Sequence, residues 1–197
     1  MSDPLYLSVW FPTFAEQEML PRTVSVMRQF PFSPEHPGIG YMAVHAISFS
    51  EAPVFEQTFD DRADPAQAVA RAGVFVHADH AFEFEAVWDL WVPTEQYDSW
   101  ALQPRPVRFF VFGTEFDDGT ADERGHIEVD VGLDFPFLGE GFELAEVGEQ
   151  RIRENVEKLI AFTNAVGNNC GIRARLLWSE SEENLAQKLV SRLQRVN

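Results

Sequence analysis

The sequence predicts an α+β fold: a mixed, mainly antiparallel sheet with helices packed on it. Three observations carry that expectation. In residues 82–90, Phe82, Phe84, Ala86, Trp88 and Leu90 alternate with Glu83, Glu85 and Asp89, the period of a strand and not of a helix. Strand-like and helix-like segments interleave along the chain, as they do when helices cover a sheet. Of the 197 residues 45% are hydrophobic, and 18 Phe and 5 Trp supply enough ring area for a large core.

Each element follows from local chemistry. Residues 5–11 are a short apolar strand. Thr13 and Glu16 have capping-box spacing, and Leu20, Val24, Met27 and Phe30 recur at helical intervals. Pro21 suits only a first turn, so this helix is expected to start near Leu20 or to kink there. Pro31, Pro34 and Pro37 then stop it. Residues 39–49 and 53–59 read as a hairpin. Asp64 caps and Pro65 opens a short helix that Gly73 ends in the left-handed conformation. After the strand at 82–90, the segment 93–106 carries Pro93, Pro104 and Pro106 and reads as a boundary.

Residues 107–116 and 127–135 read as a second hairpin, turned by Asp117, Asp118 and Gly119. A glycine-bearing loop at 136–148 precedes an amphipathic helix lined by Ile152, Val156, Leu159, Ile160 and Val166. A strand at 172–178 follows. Ser179 and Glu182 cap a last helix that buries Leu185, Leu189 and Leu193. The order βαββαβ and then ββαβα suggests two related ferredoxin-like halves, 1–103 and 104–197, packed as one unit.

Charge narrows the partners. The net charge is −17, so phosphate backbones and anionic membrane surfaces are disfavoured. Residues 115–157 hold fourteen Asp or Glu against three Arg or Lys, which places −11 of the −17 there. Part of this is solvation and part suits a helix N-terminus, where Glu143, Glu146 and Glu149 meet the positive end of the dipole. The remainder suits a basic protein partner. With Cys170 alone there is no intrachain disulfide, which fits a reducing compartment. The first residues do not read as a signal peptide and no apolar run spans a bilayer, so a cytoplasmic protein is expected.

Motifs for chemistry are sparse. His77, Asp79 and His80 offer zinc-type ligands, but on a regular strand His80 faces away from the other two, and a bend is needed to gather them. His45 stands alone in an apolar strand, where a general base or a hydrogen-bonded core histidine would fit. Cys170 follows a helix C-terminus, where the dipole disfavours a thiolate. Asp117-Asp118-Gly119 lacks the spacing of a calcium loop, and Gly38-Ile39-Gly40 lacks the third glycine of a dinucleotide site. No nucleophile elbow occurs. Trp88 and Trp91 lie three apart and so face opposite sides of a strand, with one of them in the core.

The first expectation is a non-enzymatic, cofactor-free interaction module of the immunity or antitoxin kind. It would meet a basic protein through Glu83, Glu85, Asp89, Trp91, Glu128, Asp130 and Asp134. The test is geometric: strands at 82–90 and 127–135 lying side by side would gather these acids on one face, and separated strands would dissolve the patch into ordinary solvation. The second expectation is a small-ligand or metal-binding enzyme with a cleft between the halves, using His45, His77, Asp79, His80 and Glu83 or Glu85. The third is a homodimer paired through sheet edges.

Overall fold

A computed structural model describes residues 3–94, 99–139, 146–180 and 185–194. Its strands are β1 (Pro4–Trp10), β2 (Ile39–Ala46), β3 (Phe55–Ala63), β4 (His80–Pro93), β5 (Trp100–Phe112), β6 (Ile127–Leu133) and β7 (Ala174–Ser179). They form an antiparallel sheet in the order β3-β2-β4-β5-β6-β1-β7. The helices are α1 (Glu16–Met27), α2 (Pro65–Ala72), α3 (Thr120–Arg124), α4 (Phe135–Leu138), α5 (Glu146–Asn169) and α6 (Leu185–Gln194). The protein is therefore α+β, with helices on an antiparallel sheet.

Alternation along the strands sorts the side chains into two faces. Leu5, Leu7 and Val9, Phe82, Phe84 and Trp88, Val107, Phe109 and Val111, and Ile127, Val129 and Val131 are all buried in one core. Met19, Val26 and Met27 of α1, Ala68 and Val69 of α2, and Ile152, Val156, Leu159 and Phe162 of α5 close over it. Phe30 sits at its centre, within 5.5 Å of the rings of Trp88, Phe109 and Phe162. Among the described residues the opposite face carries a small apolar cluster at one end, where Phe112, Phe116, Ala121 and Ala81 are buried against Phe49 and Phe110.

The ferredoxin-like halves are not confirmed. In that motif the first strand lies inside its own unit, whereas β1 pairs with β6 and β7. The helix α1 also departs from expectation. It begins at Glu16, the Glu18 carboxylate accepts from the Ala15 N–H at 3.1 Å, and the helix runs through Pro21. Pro21 and Gln17 are both exposed, so the carbonyl that loses its partner faces water. Asp64 caps α2 as expected, accepting from the Ala66 N–H at 2.8 Å. Gly73 does not stop it in a left-handed turn: its φ is −58° and the chain continues into a short 3-10 turn, Gly73–Phe75.

The proline-rich segment at 93–106 is largely strand. Trp100 to Val107 of β5 pair with β4 from Pro93 back to Ala86. The Phe112 N–H bonds the His126 carbonyl on the β6 side and the Gly113 N–H bonds the His80 carbonyl on the β4 side. Even-numbered residues of β5 thus direct their backbone polar groups away from β4. Pro104 and Pro106 are even-numbered and lie beyond the stretch, Arg108 to Val111, that β6 pairs. Their missing N–H groups cost no ladder bond.

Past Ala86, β4 outruns its neighbour β2. Other groups complete its edge. The Ser33 N–H donates to the Val87 carbonyl, Lys158 Nζ to the Asp89 carbonyl at 2.6 Å, and Asn155 bonds both backbone groups of Trp91. Helix α5 and the loop before β2 stand in for a strand, which removes a sticky edge. The loop expected at 136–148 contains α4 and the start of α5. The Glu182 half of the expected last capping box lies outside the described residues.

Candidate functional site

The open face of the sheet is a set of ordered cross-strand rows. Register places Thr58, Tyr41, Glu85, Arg108, Asp130, Tyr6 and Trp178 in one row across all seven strands. The next row is Glu56, Ala43, Glu83, Phe110, Glu128, Ser8 and Leu176. The strands at 82–90 and 127–135 are not adjacent: β5 lies between them and sets Arg108 among the acids. Arg108 is 3.9 Å from Glu83 and 3.7 Å from Asp130, and its side chain is 49% exposed. The single acidic patch that adjacent strands would have made is therefore not formed: the two sets of acids are parted by β5, and Arg108 stands between Glu83 and Asp130.

The expected site residues separate into two groups. Glu83, Glu85, Glu128 and Asp130 share the open face. Glu128 is nevertheless fully buried, held by both a 3.1 Å bond from Arg124 Nε and a second from Arg124 Nη2. Burial raises its pKa, and Arg124 opposes the shift. Asp89 and Trp91 lie farther along β4, against α5. Lys158 is bound to the Asp89 backbone, and the Arg151 guanidinium sits 3.8 Å from the centre of the Trp91 ring. Trp88 is the core tryptophan. Asp134 is buried at the start of α4, where its Oδ1 accepts the Asp3 N–H at 3.2 Å.

Several residues of the face went unnoticed in the sequence. Tyr41 donates to Glu56 Oε1 at 2.5 Å, and its hydroxyl pKa is raised, first by burial and then by that bond. Tyr6 stacks on Trp178 at 4.8 Å between centroids, and Trp178 Nε1 donates to Ser8 Oγ at 2.9 Å. The Tyr6 pKa is also raised, by burial first and then by Asp130 and Glu128. Arg108 could have been found: it is the polar side chain on the alternating run 107–112.

His45 lies on this face, with Nε2 3.4 Å from Glu83 Oε2 and its ring edge-on to Phe49. Its Nδ1 is buried with no hydrogen-bond partner among the described residues. His77, Asp79 and His80 form a tight turn that enters β4 at His80. His77 Nδ1 is 2.5 Å from Asp79 Oδ1, and His80 Nε2 is 3.7 Å from the same oxygen. His80 Nδ1 lies 2.5 Å from the Phe75 carbonyl, an acceptor only, so that nitrogen carries a hydrogen and cannot ligate. Among the described residues no group of three or more His, Cys, Asp or Glu is arranged to hold a metal ion. Cys170 is buried, its thiol directed at the Ser25 carbonyl and its pKa raised by burial.

A cleft of about 630 Å³ lies beside the β4–β5 ribbon, and none of these histidines lines it. It opens where the β4–β5 ribbon passes the end of β6, beside α4, on the helical side of the sheet. No helix among the described residues is long and apolar enough to cross a membrane. Comparison with protein-family models, with curated proteins and with solved structures finds no match. The fold and the site thus define an α+β protein with one helix-covered and one open, acid-bearing sheet face.

Proposed function

We propose that the protein is a non-enzymatic interaction module whose open sheet face docks a basic protein, in the manner of immunity proteins and antitoxins. The row Tyr41, Glu85, Arg108, Asp130, Tyr6 and Trp178 carries this reading. It combines flat rings with carboxylates on a surface that no helix of the main core covers, the mixture that favours protein contacts. Glu56, Glu83, Glu85 and Asp130 outnumber Arg108 on it, so an incoming Lys or Arg finds attraction, while Arg108 fixes where on the face that charge settles. The overall charge of −17 steers such a partner from a distance.

The experiment is affinity capture from host extract at low salt, using the native protein and a Glu83→Gln, Glu85→Gln, Asp130→Asn variant. A matched variant neutralises three acids elsewhere: Glu123, Glu154 and Glu157. A basic protein retained by native and matched forms, released by salt and lost by the face variant, supports the reading. Equal loss from both variants would reduce the effect to bulk charge and sink it.

A further inference from the structure

We infer that the cleft between the β4–β5 ribbon and α4 is a binding site for a small amphipathic anion, an aliphatic carboxylate entering chain first. Its volume, about 630 Å³, falls within the roughly 300–1,000 Å³ of small-molecule sites. Leu90 and Val92 of β4, Val131 and Leu133 of β6, and Pro136 of α4 supply an apolar lining. Leu133 is 54% exposed at the entrance, an apolar side chain left in water by the folded chain.

The polar groups of the cleft select the head group. Arg105 lines it, and its Nη2 donates to Gln103 Oε1 at 3.2 Å. Gln103 is neutral, so the contact orients the guanidinium without discharging it. Among the described residues no carboxylate lies within 4.0 Å of Arg105, although acids outnumber Lys and Arg by 32 to 15 in this chain. A guanidinium with no carboxylate partner among the described residues, beside an apolar wall, is complementary to a carboxylate on a hydrocarbon tail.

The strand that bounds the cleft also argues against a peptide occupant. The edge of β5 that faces it is the one on which Pro104 and Pro106 have no N–H. A peptide adding itself as a strand would find acceptors there without alternating donors. A small ligand needs no ladder. The cleft is also distinct from the docking face, which lies on the other side of the sheet.

Decanoate tests the inference, titrated below its micellar concentration into the full-length protein by calorimetry, with decyltrimethylammonium as the chain-matched cation. Saturable one-to-one binding of decanoate and none of the cation is expected. Arg105→Gln should weaken decanoate at least about tenfold, and Leu133→Glu should abolish binding. Both positions are exposed, so both variants should fold, and Arg71→Gln on α2 should bind as the native protein does. Equal binding of the two head groups, an unaltered affinity in Arg105→Gln, or no saturable binding of decanoate would each overturn the proposal.

Discussion

The side-chain amide of Asn155 holds both backbone groups of Trp91: Oδ1 accepts the Trp91 N–H at 2.9 Å and Nδ2 donates to the Trp91 carbonyl at 2.8 Å. A second Nδ2 bond reaches the Pro136 carbonyl at 2.8 Å. One buried amide thus ties β4, α4 and α5 together. Asn155→Leu should cost about 3 kcal/mol, because the freed backbone groups lose their partner in a place water reaches poorly. Thermal unfolding should shift down by about 6–12 °C for a chain of this size. An unchanged midpoint would mean that the edge of β4 is satisfied in another way.

His126 makes stability depend on pH. Its Nδ1 accepts the Phe11 N–H at 3.0 Å, so the neutral ring carries its hydrogen on Nε2, and the ring stacks on Phe14 at 4.4 Å. Burial lowers its pKa below the ordinary 6.5, with Asp122 opposing. The stabilising contribution is therefore complete above 6.5 and is lost as pH falls through the lowered folded value. His126→Gln keeps an acceptor and should flatten that part of the curve. Denaturation midpoints across the window will decide it.

The pair Arg124 and Glu128 predicts the opposite slope in a variant. Arg124→Met leaves a fully buried carboxylate without its cation, a loss of about 3 kcal/mol at neutral pH, the low end for a buried pair because the Arg124 side chain is 37% exposed. The Glu128 pKa is already raised by burial and should rise further without Arg124. The deficit should then fade on acidification and be smallest below the ordinary 4.5, where Glu128 is protonated in both states. Adding Glu128→Gln to Arg124→Met should restore part of the loss at pH 7. A double variant no better than the single one would refute this account.

At Gly113 the chain leaving β5 passes against the backbone of residues 78–80. A Cβ there would sit 2.2 Å from the Ala78 carbonyl oxygen and 2.7 Å from that of His80. The Gly113 N–H also bonds the His80 carbonyl at 2.8 Å. Gly113→Ala should cost about 2 kcal/mol or more, since backbone and not a flexible side chain must yield. Gly119→Ala is the contrast: its Cβ would meet nothing nearer than 4.0 Å, and only the φ of +94° opposes it.

Local chemistry determined much of this protein. The alternation at 82–90, the Asp64-Pro65 helix start, the 39–59 hairpin and the amphipathic face of α5 were all legible, because period and capping are properties of a few neighbouring residues. That Glu83 and Glu85 share one side of their strand, and Glu128 and Asp130 one side of theirs, was legible for the same reason; whether the two pairs meet on one face was not. Three things were decided only by the tertiary structure. Strand order put β5, and with it Arg108, between the two acidic strands, and put β1 beside β6 and β7. Long-range partners took Glu128 and Asp134 out of solvent, through Arg124 and the Asp3 backbone, and set Arg151 over the half-buried ring of Trp91. Burial of an unpaired edge turned Asn155, a plain polar residue in a helical sequence, into the tie between three elements. Pairing across more than a hundred residues depends on which surfaces bury one another, and no local pattern records that.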